Sequence, residues 1–126
     1  MKNNFFIRVE GKYQRVIFNE ILYLEGRRNY IKIVTQREFY MVLLTMLRME
    51  ELLPASHFLR IHKSYIVSLD KVQAFDSKTV SLENIELPLG DKYKQKLEKA
   101  VLIASNTPGI LVKIPGRYER KETMVS

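Results

Sequence analysis

Apolar and polar residues alternate over short stretches along most of the chain, the two-residue period of a half-buried strand. Tyr30 to Thr35 (YIKIVT) shows it clearly: Ile31 and Ile33 share one face, and Lys32 lies on the other. Phe5 to Glu10 and Tyr13 to Phe18 read as a hairpin turning at Gly11-Lys12, where glycine tolerates the positive φ of a tight turn. Ile21 to Glu25 pairs with Tyr30 to Thr35 around Gly26-Arg27-Arg28-Asn29, and Glu38 to Leu44 follows through Gln36-Arg37. Leu59 to Ile61, Tyr65 to Ser68, Lys71 to Phe75, Thr79 to Glu83 and Ile85 to Leu89 continue the series, with Asp76-Ser77-Lys78 as a turn. Pro88 cannot donate to a ladder and belongs at a strand end or edge.

The period changes twice. Thr45 can cap a helix over MLRMEELL, of about two turns, which Pro54 ends. Asp91 to Ala104 is the clearer helix: Tyr93, Leu97, Ala100, Val101 and Ala104 make one apolar stripe, and Lys92, Lys96 and Lys99 lie off it. Two Pro-Gly pairs then punctuate a polar end, predicting one added strand, Ile110 to Ile114, and a loose tail. The expected fold is mainly β, about ten short strands with a short helix in the middle and a C-terminal helix. Residues 1–105 form the expected domain and 106–126 a C-terminal extension.

Composition narrows the chemistry. The 126 residues suffice for one domain with a real core, and without cysteine there is neither disulfide nor thiolate metal site. No apolar run is long enough to span a membrane or serve as a signal peptide, so a cytoplasmic location is expected. His57 and His62 are the only histidines, at a spacing that does not stack imidazoles on a helix or strand. The five glycines are scattered singly and make no phosphate loop, and Ser64, Ser68 and Ser81 lack a nucleophile-elbow context. Neither catalysis nor a cofactor is expected. The net charge of +7, with pI ≈ 9.7, instead suits a polyanionic partner.

Three segments could touch such a partner. Arg27, Arg28 and Asn29, beside Tyr30, lie at a loop: Arg forks match guanine and Asn matches adenine, and both suit phosphate. In LRIHKSY, Arg60, His62 and Ser64 alternate with Leu59, Ile61 and Tyr65, so an extended segment would carry three polar donors on one face, with Lys63 beside them. At the start of the last helix, Lys92 and Lys94 flank Tyr93 near exposed N–H groups, with Asp91 opposing an anion there. Read blandly, the three are a solvated turn, a structural histidine and a lysine-rich helix face.

Taken in order, ILYLEGRRNYIKI, a short helix ending in LP, FLRIHKSYIVSLDKV and IELPLGDKYKQKL resemble the LytTR family of DNA-binding domains, from about Phe6 to Ala104. The middle string is the most specific. The resemblance implies an elongated set of small antiparallel sheets whose loops enter successive major grooves, as the output domain of a bacterial response regulator. It places the three segments on one DNA-facing edge, with Asn29 or Tyr30, His62, Lys63 and Lys92 at contacting positions. Ser68 stands where the family commonly has Asn, in a turn, and Ser can make a weaker version of the same side-chain-to-backbone bond; Gly90-Asp91 stands where many members have Ser-Arg, which removes one phosphate contact. The partners implied are double-stranded DNA, a second copy on repeated half-sites, and an upstream receiver domain or sensor kinase; nothing in the chain itself accepts a phosphoryl signal. The competing expectations are a β-rich module for single-stranded nucleic acid, stacking bases on Tyr13, Tyr30 or Tyr118, and a protein-interaction domain of incidental charge.

Overall fold

A computed structural model describes residues 2–104 and the strands Ile110–Ile114 and Arg117–Lys121. The fold is mainly β and built from small antiparallel sheets, as expected. β1 (Asn4–Val9) and β2 (Lys12–Ile17) form the first hairpin. Its turn lies one residue earlier than expected: Val9 pairs with Lys12, and Glu10 and Gly11 take φ of 51° and 78°. A two-residue turn of this hand needs positive φ, and glycine supplies it without strain at the second position.

Five strands make the central sheet, in the order β5-β4-β3-β7-β6. They are β3 (Ile21–Arg27), β4 (Tyr30–Thr35), β5 (Phe39–Leu43), β6 (Phe58–His62) and β7 (Tyr65–Ser68). Between β4 and β5, Thr35 Oγ1 donates to the Glu38 carbonyl at 2.7 Å and accepts the Glu38 N–H at 3.1 Å. Helix α1 (Met46–Leu52) starts on Thr45, whose Oγ1 accepts the Arg48 N–H at 3.1 Å.

The two faces of the sheet bury different cores. On one, Leu24, Ile31, Ile33 and Ile66 pack with Met49 and Leu53 of the α1 segment and with Ile7 and Val16 of the first hairpin. On the other, Tyr23, Ile61 and Val67 meet Val80, Leu82, Leu87 and Leu89 of a three-stranded sheet and Leu97 of the last helix. That small sheet has the order β10-β9-β8: β8 (Ala74–Phe75), β9 (Thr79–Ser81) and β10 (Glu86–Pro88), with Pro88 at a strand end.

Three expectations need correction. Lys71 to Phe75 is a strand only at Ala74–Phe75, because Leu69–Lys71 winds into a 3-10 turn closed by the Val72 N–H on the Leu69 carbonyl at 3.3 Å. Ser68 is buried at 4% exposure and makes no side-chain bond to that turn, so it does not play the expected Asn-like part. The last helix is shorter than Asp91 to Ala104: Asp91–Tyr93 is 3-10, α2 is Lys94–Ala100, and Val101 is already extended. Leu97 is fully buried, but Ala100 and Ala104 are exposed. Without an apolar face to pack, helix propensity alone does not sustain another turn.

Beyond α2, Ile110–Ile114 (β11) is a strand. Arg117–Lys121, expected to be loose, is β12 and pairs with it antiparallel. Tyr118 as a stacking platform lies outside the residues whose side chains are described. Among the described residues, no helix is long and apolar enough to cross a membrane, and no His/Asp/Glu group is arranged to hold a metal.

Leu97→Ala should cost about 2–5 kcal/mol in urea unfolding, since it empties a buried site between α2 and the second core. Asp76 behaves differently. Its carboxylate accepts the Lys78 and Thr79 N–H groups, both at 2.8 Å, which holds its pKa below the usual carboxylate value. A lowered folded-state pKa stabilises above the unfolded value and is lost as the carboxylate protonates. Asp76→Ala should therefore lower the urea midpoint at pH 7, and the difference should vanish as the pH falls below the carboxylate range.

Candidate nucleic-acid interface

The first segment is tighter than its sequence suggests. Gly26 and Arg27 belong to β3, Arg27 pairs with Tyr30, and only Arg28 and Asn29 form the turn. Arg28 sits at φ 31°, where a side chain is strained. Arg27 Nε lies 3.4 Å from the Glu25 carboxylate, so Arg27 is partly neutralised. Arg28, Asn29 and Tyr30 are exposed, Tyr30 at 49%.

The second segment departs from simple alternation. Arg60 pairs with Ile66 and His62 with Tyr65, so Ile61 is an extra residue, a bulge. Ile61 drops into the second core at 0% exposure. The expected row of Arg60, His62 and Ser64 on one face does not form, because a bulge resets the pleat between them. Lys63 and Ser64 make the turn. His62 Nδ1 accepts the Ser64 N–H at 3.0 Å, and its ring leans on Tyr65 with centroids 5.6 Å apart. With Nδ1 accepting, the ring proton is on Nε2, which leaves one donor on the far side of the ring. Arg60 does not reach outward: Nη1 meets Glu50 Oε1 at 2.8 Å, Nε the His62 carbonyl at 3.3 Å, and Nη2 the Lys63 carbonyl.

Two main-chain bonds join the three segments. The Gly26 N–H donates to the Ser64 carbonyl at 2.7 Å, setting the β3–β4 turn against the β6–β7 turn. The Gly90 N–H donates to the Ile61 carbonyl at 2.8 Å, setting the start of the 3-10 turn beside His62. A shallow cleft runs between the two hairpin turns, lined by Gly26, Arg28, Tyr30, Lys63 and Ser64 among others. Lys92 is exposed beyond Gly90, whereas Lys94 is drawn back by Asp91 at 3.1 Å. All three segments therefore meet, but Arg60 and Lys94 are held by carboxylates.

Glu25 organises the ground behind the turns. Burial raises the Tyr65 and Tyr23 pKa values, the Glu25 carboxylate raises them further, and Arg27 opposes this. Both phenols stay protonated at neutral pH and add no negative charge to the basic end. In sequence Glu25 has no marked role, and Glu50, beside Glu51, reads as part of a solvated helix face, but it is bonded to Arg60. Glu50 lies ten positions from Arg60, on another element, so no local pattern marks the pair. A separate cavity, lined by Phe18, Pro54, His57, Phe58, Ser68 and Asp70, lies at the opposite end of the β6–β7 hairpin and takes no part.

Exposed basic and amide side chains on two adjoining hairpin turns, with a lysine beside them, are the surface of a DNA-binding domain of the β type. The LytTr DNA-binding domain family matches residues 11–102, and the chain belongs to that family. Over 68 residues it is 32% identical to the transcriptional regulatory protein YpdB of Escherichia coli K12, a match covering 52% of this chain and 28% of that protein. YpdB of Shigella flexneri matches to the same extent. The match thus spans little more than a quarter of the length of these relatives. Among solved structures, the LytTr DNA-binding domain of a Bacillus cereus response regulator superposes with a TM-score of 0.68 over 79% of this chain and 97% of that one, at 22% identity, and shares the fold.

Arg28 carries both strain and charge, so Arg28→Asn should separate them. Asn tolerates positive φ, and the fold should be as stable as before or up to about 0.5 kcal/mol more so. Duplex DNA binding should weaken, with a shallower salt dependence. The two are read by urea unfolding and by titration at several salt concentrations.

Proposed function

We propose that this chain reads short sites on double-stranded DNA as the output module of a bacterial transcription regulator. The observation that carries this is the meeting of the three segments at one end, joined by the Gly26–Ser64 and Gly90–Ile61 bonds. Arg28 and Asn29 enter one major groove, where an Arg fork suits guanine and an Asn amide suits adenine. Arg27, beside them, contributes less because Glu25 shares its charge. His62, through Nε2–H, and Lys63 meet base edges and phosphates in the middle, with Ser64 fixing the turn beneath them. Lys92 holds flanking phosphate, and Lys94 assists when it leaves Asp91.

Tyr30 borders the cleft as an apolar contact for a sugar or a thymine methyl. A single-stranded ligand would need a row of stacking platforms. Tyr13, the other exposed candidate, instead sits under Arg8 on the first hairpin, 5.1 Å from guanidinium to ring. Duplex therefore suits the site better.

The remaining parts of the reading follow from this one. Residues 1–105 are the DNA-binding unit and 106–126 an extension; two copies occupy repeated half-sites in the cytoplasm; and an upstream receiver domain or sensor kinase supplies the signal. No enzyme activity is assigned.

Selection of bound sequences from a random duplex pool should enrich a repeated motif, and a single-stranded pool should compete poorly. Recovery of no motif, or preference for single strands, overturns the reading. Against the enriched duplex, Asn29→Ala should lower discrimination by about 1–3 kcal/mol. Lys92→Ala should weaken all sequences alike and reduce the salt slope by about one. Unchanged affinity in both Arg28→Ala and Lys63→Ala would place the interface elsewhere.

A further inference from the structure

The Arg60 guanidinium uses all three of its nitrogens inside the protein. Nη1 meets Glu50 of α1 at 2.8 Å, Nε meets the His62 carbonyl at 3.3 Å, and Nη2 meets the Lys63 carbonyl. Its side chain is only 23% exposed. One carbonyl belongs to His62, the last residue of β6, which pairs with Tyr65 just after the Ile61 bulge, and the other to Lys63 in the turn. A bulge bends the strand that carries it and increases its local twist, so the bend aims the turn beyond it. A planar fork with one branch on a helix carboxylate and two on the His62 and Lys63 carbonyls fixes that aim, and lysine, a point donor on a flexible stem, cannot bridge all three acceptors.

We infer that Arg60 is a positioning residue rather than a DNA contact: with Glu50 it latches the His62–Ser64 turn to α1 and sets the reading angle of His62 and Lys63. This rests on the reading that the turn faces DNA. It also makes Glu50, an acidic residue on a basic domain, a requirement for selective binding.

Sign separates the latch from plain electrostatics. Removing an acid by charge alone strengthens DNA binding. If the latch holds, Glu50→Ala lowers affinity for the enriched duplex about tenfold while binding to a scrambled duplex stays level or rises. Arg60→Lys, which keeps the charge, shows the same loss with an unchanged salt slope. The inference is overturned if Glu50→Ala leaves the enriched-to-scrambled ratio at the wild-type value, or if Arg60→Lys binds like wild type.

A DNA-free measurement keeps the two readings apart. The Ser64 N–H is bonded to His62 Nδ1. Its hydrogen exchange should quicken in Glu50→Ala and Arg60→Lys, with the urea midpoint of Glu50→Ala near wild type. Should the wild-type domain enrich no duplex, the DNA reading falls and exchange alone judges the latch: quickened exchange supports it, and unchanged Ser64 protection overturns it.

Discussion

The Gly26 N–H on the Ser64 carbonyl, at 2.7 Å, is the bond on which the basic end depends. It closes the gap between two hairpins that share the central sheet, at a strand residue packed closely by a side chain of α1. A Cβ on Gly26 would stand 2.9 Å from Met46 Cγ and Sδ, where α1 begins against the same strand. Helix start, strand end and neighbouring turn therefore meet at one glycine. The Gly90–Ile61 bond repeats the device on the other side of the β6–β7 turn, bringing in Lys92.

The bulge at Ile61 does two things at once. It sends Ile61 into the second core, anchoring the strand to α2 and the small sheet. It also breaks the alternation that would have aligned Arg60 with His62, so Arg60 turns toward α1 on the first-core side and His62 stays at the rim. A sheet buried on both faces constrains every residue before the turn. The side chains left for a partner are those at and just beyond it.

Much of the fold was legible in the sequence because period and punctuation agreed. Ile31 and Ile33 in YIKIVT are buried as alternation requires, Thr45 caps α1, and Asp76 holds its turn. The sequence misled where tertiary packing overrules local pattern: α2 stops at Ala100 for want of a surface, and β12 forms in a segment that looked unstructured. Within the candidate site, Arg28, Asn29, His62, Lys63 and Lys92 could be named from residue type and position. Of the carboxylates that hold Arg27, Arg60 and Lys94, two are local: Glu25 lies two positions from Arg27 on β3, and Asp91 three positions from Lys94. Glu50 reaches Arg60 from another element, ten positions away, and no window of sequence records that pairing.

The two bonds that assemble the basic end run between main-chain atoms, which carry no record of side-chain identity. Arg28, Asn29, Lys63 and Lys92 can therefore be exchanged one at a time with little consequence for the scaffold. Gly26 cannot. If these turn tips read the DNA, as proposed, binding preference can drift among descendants of such a domain by single substitutions there, while the framework beneath is inherited nearly unaltered. An architecture of this kind favours divergence of target sites over divergence of fold.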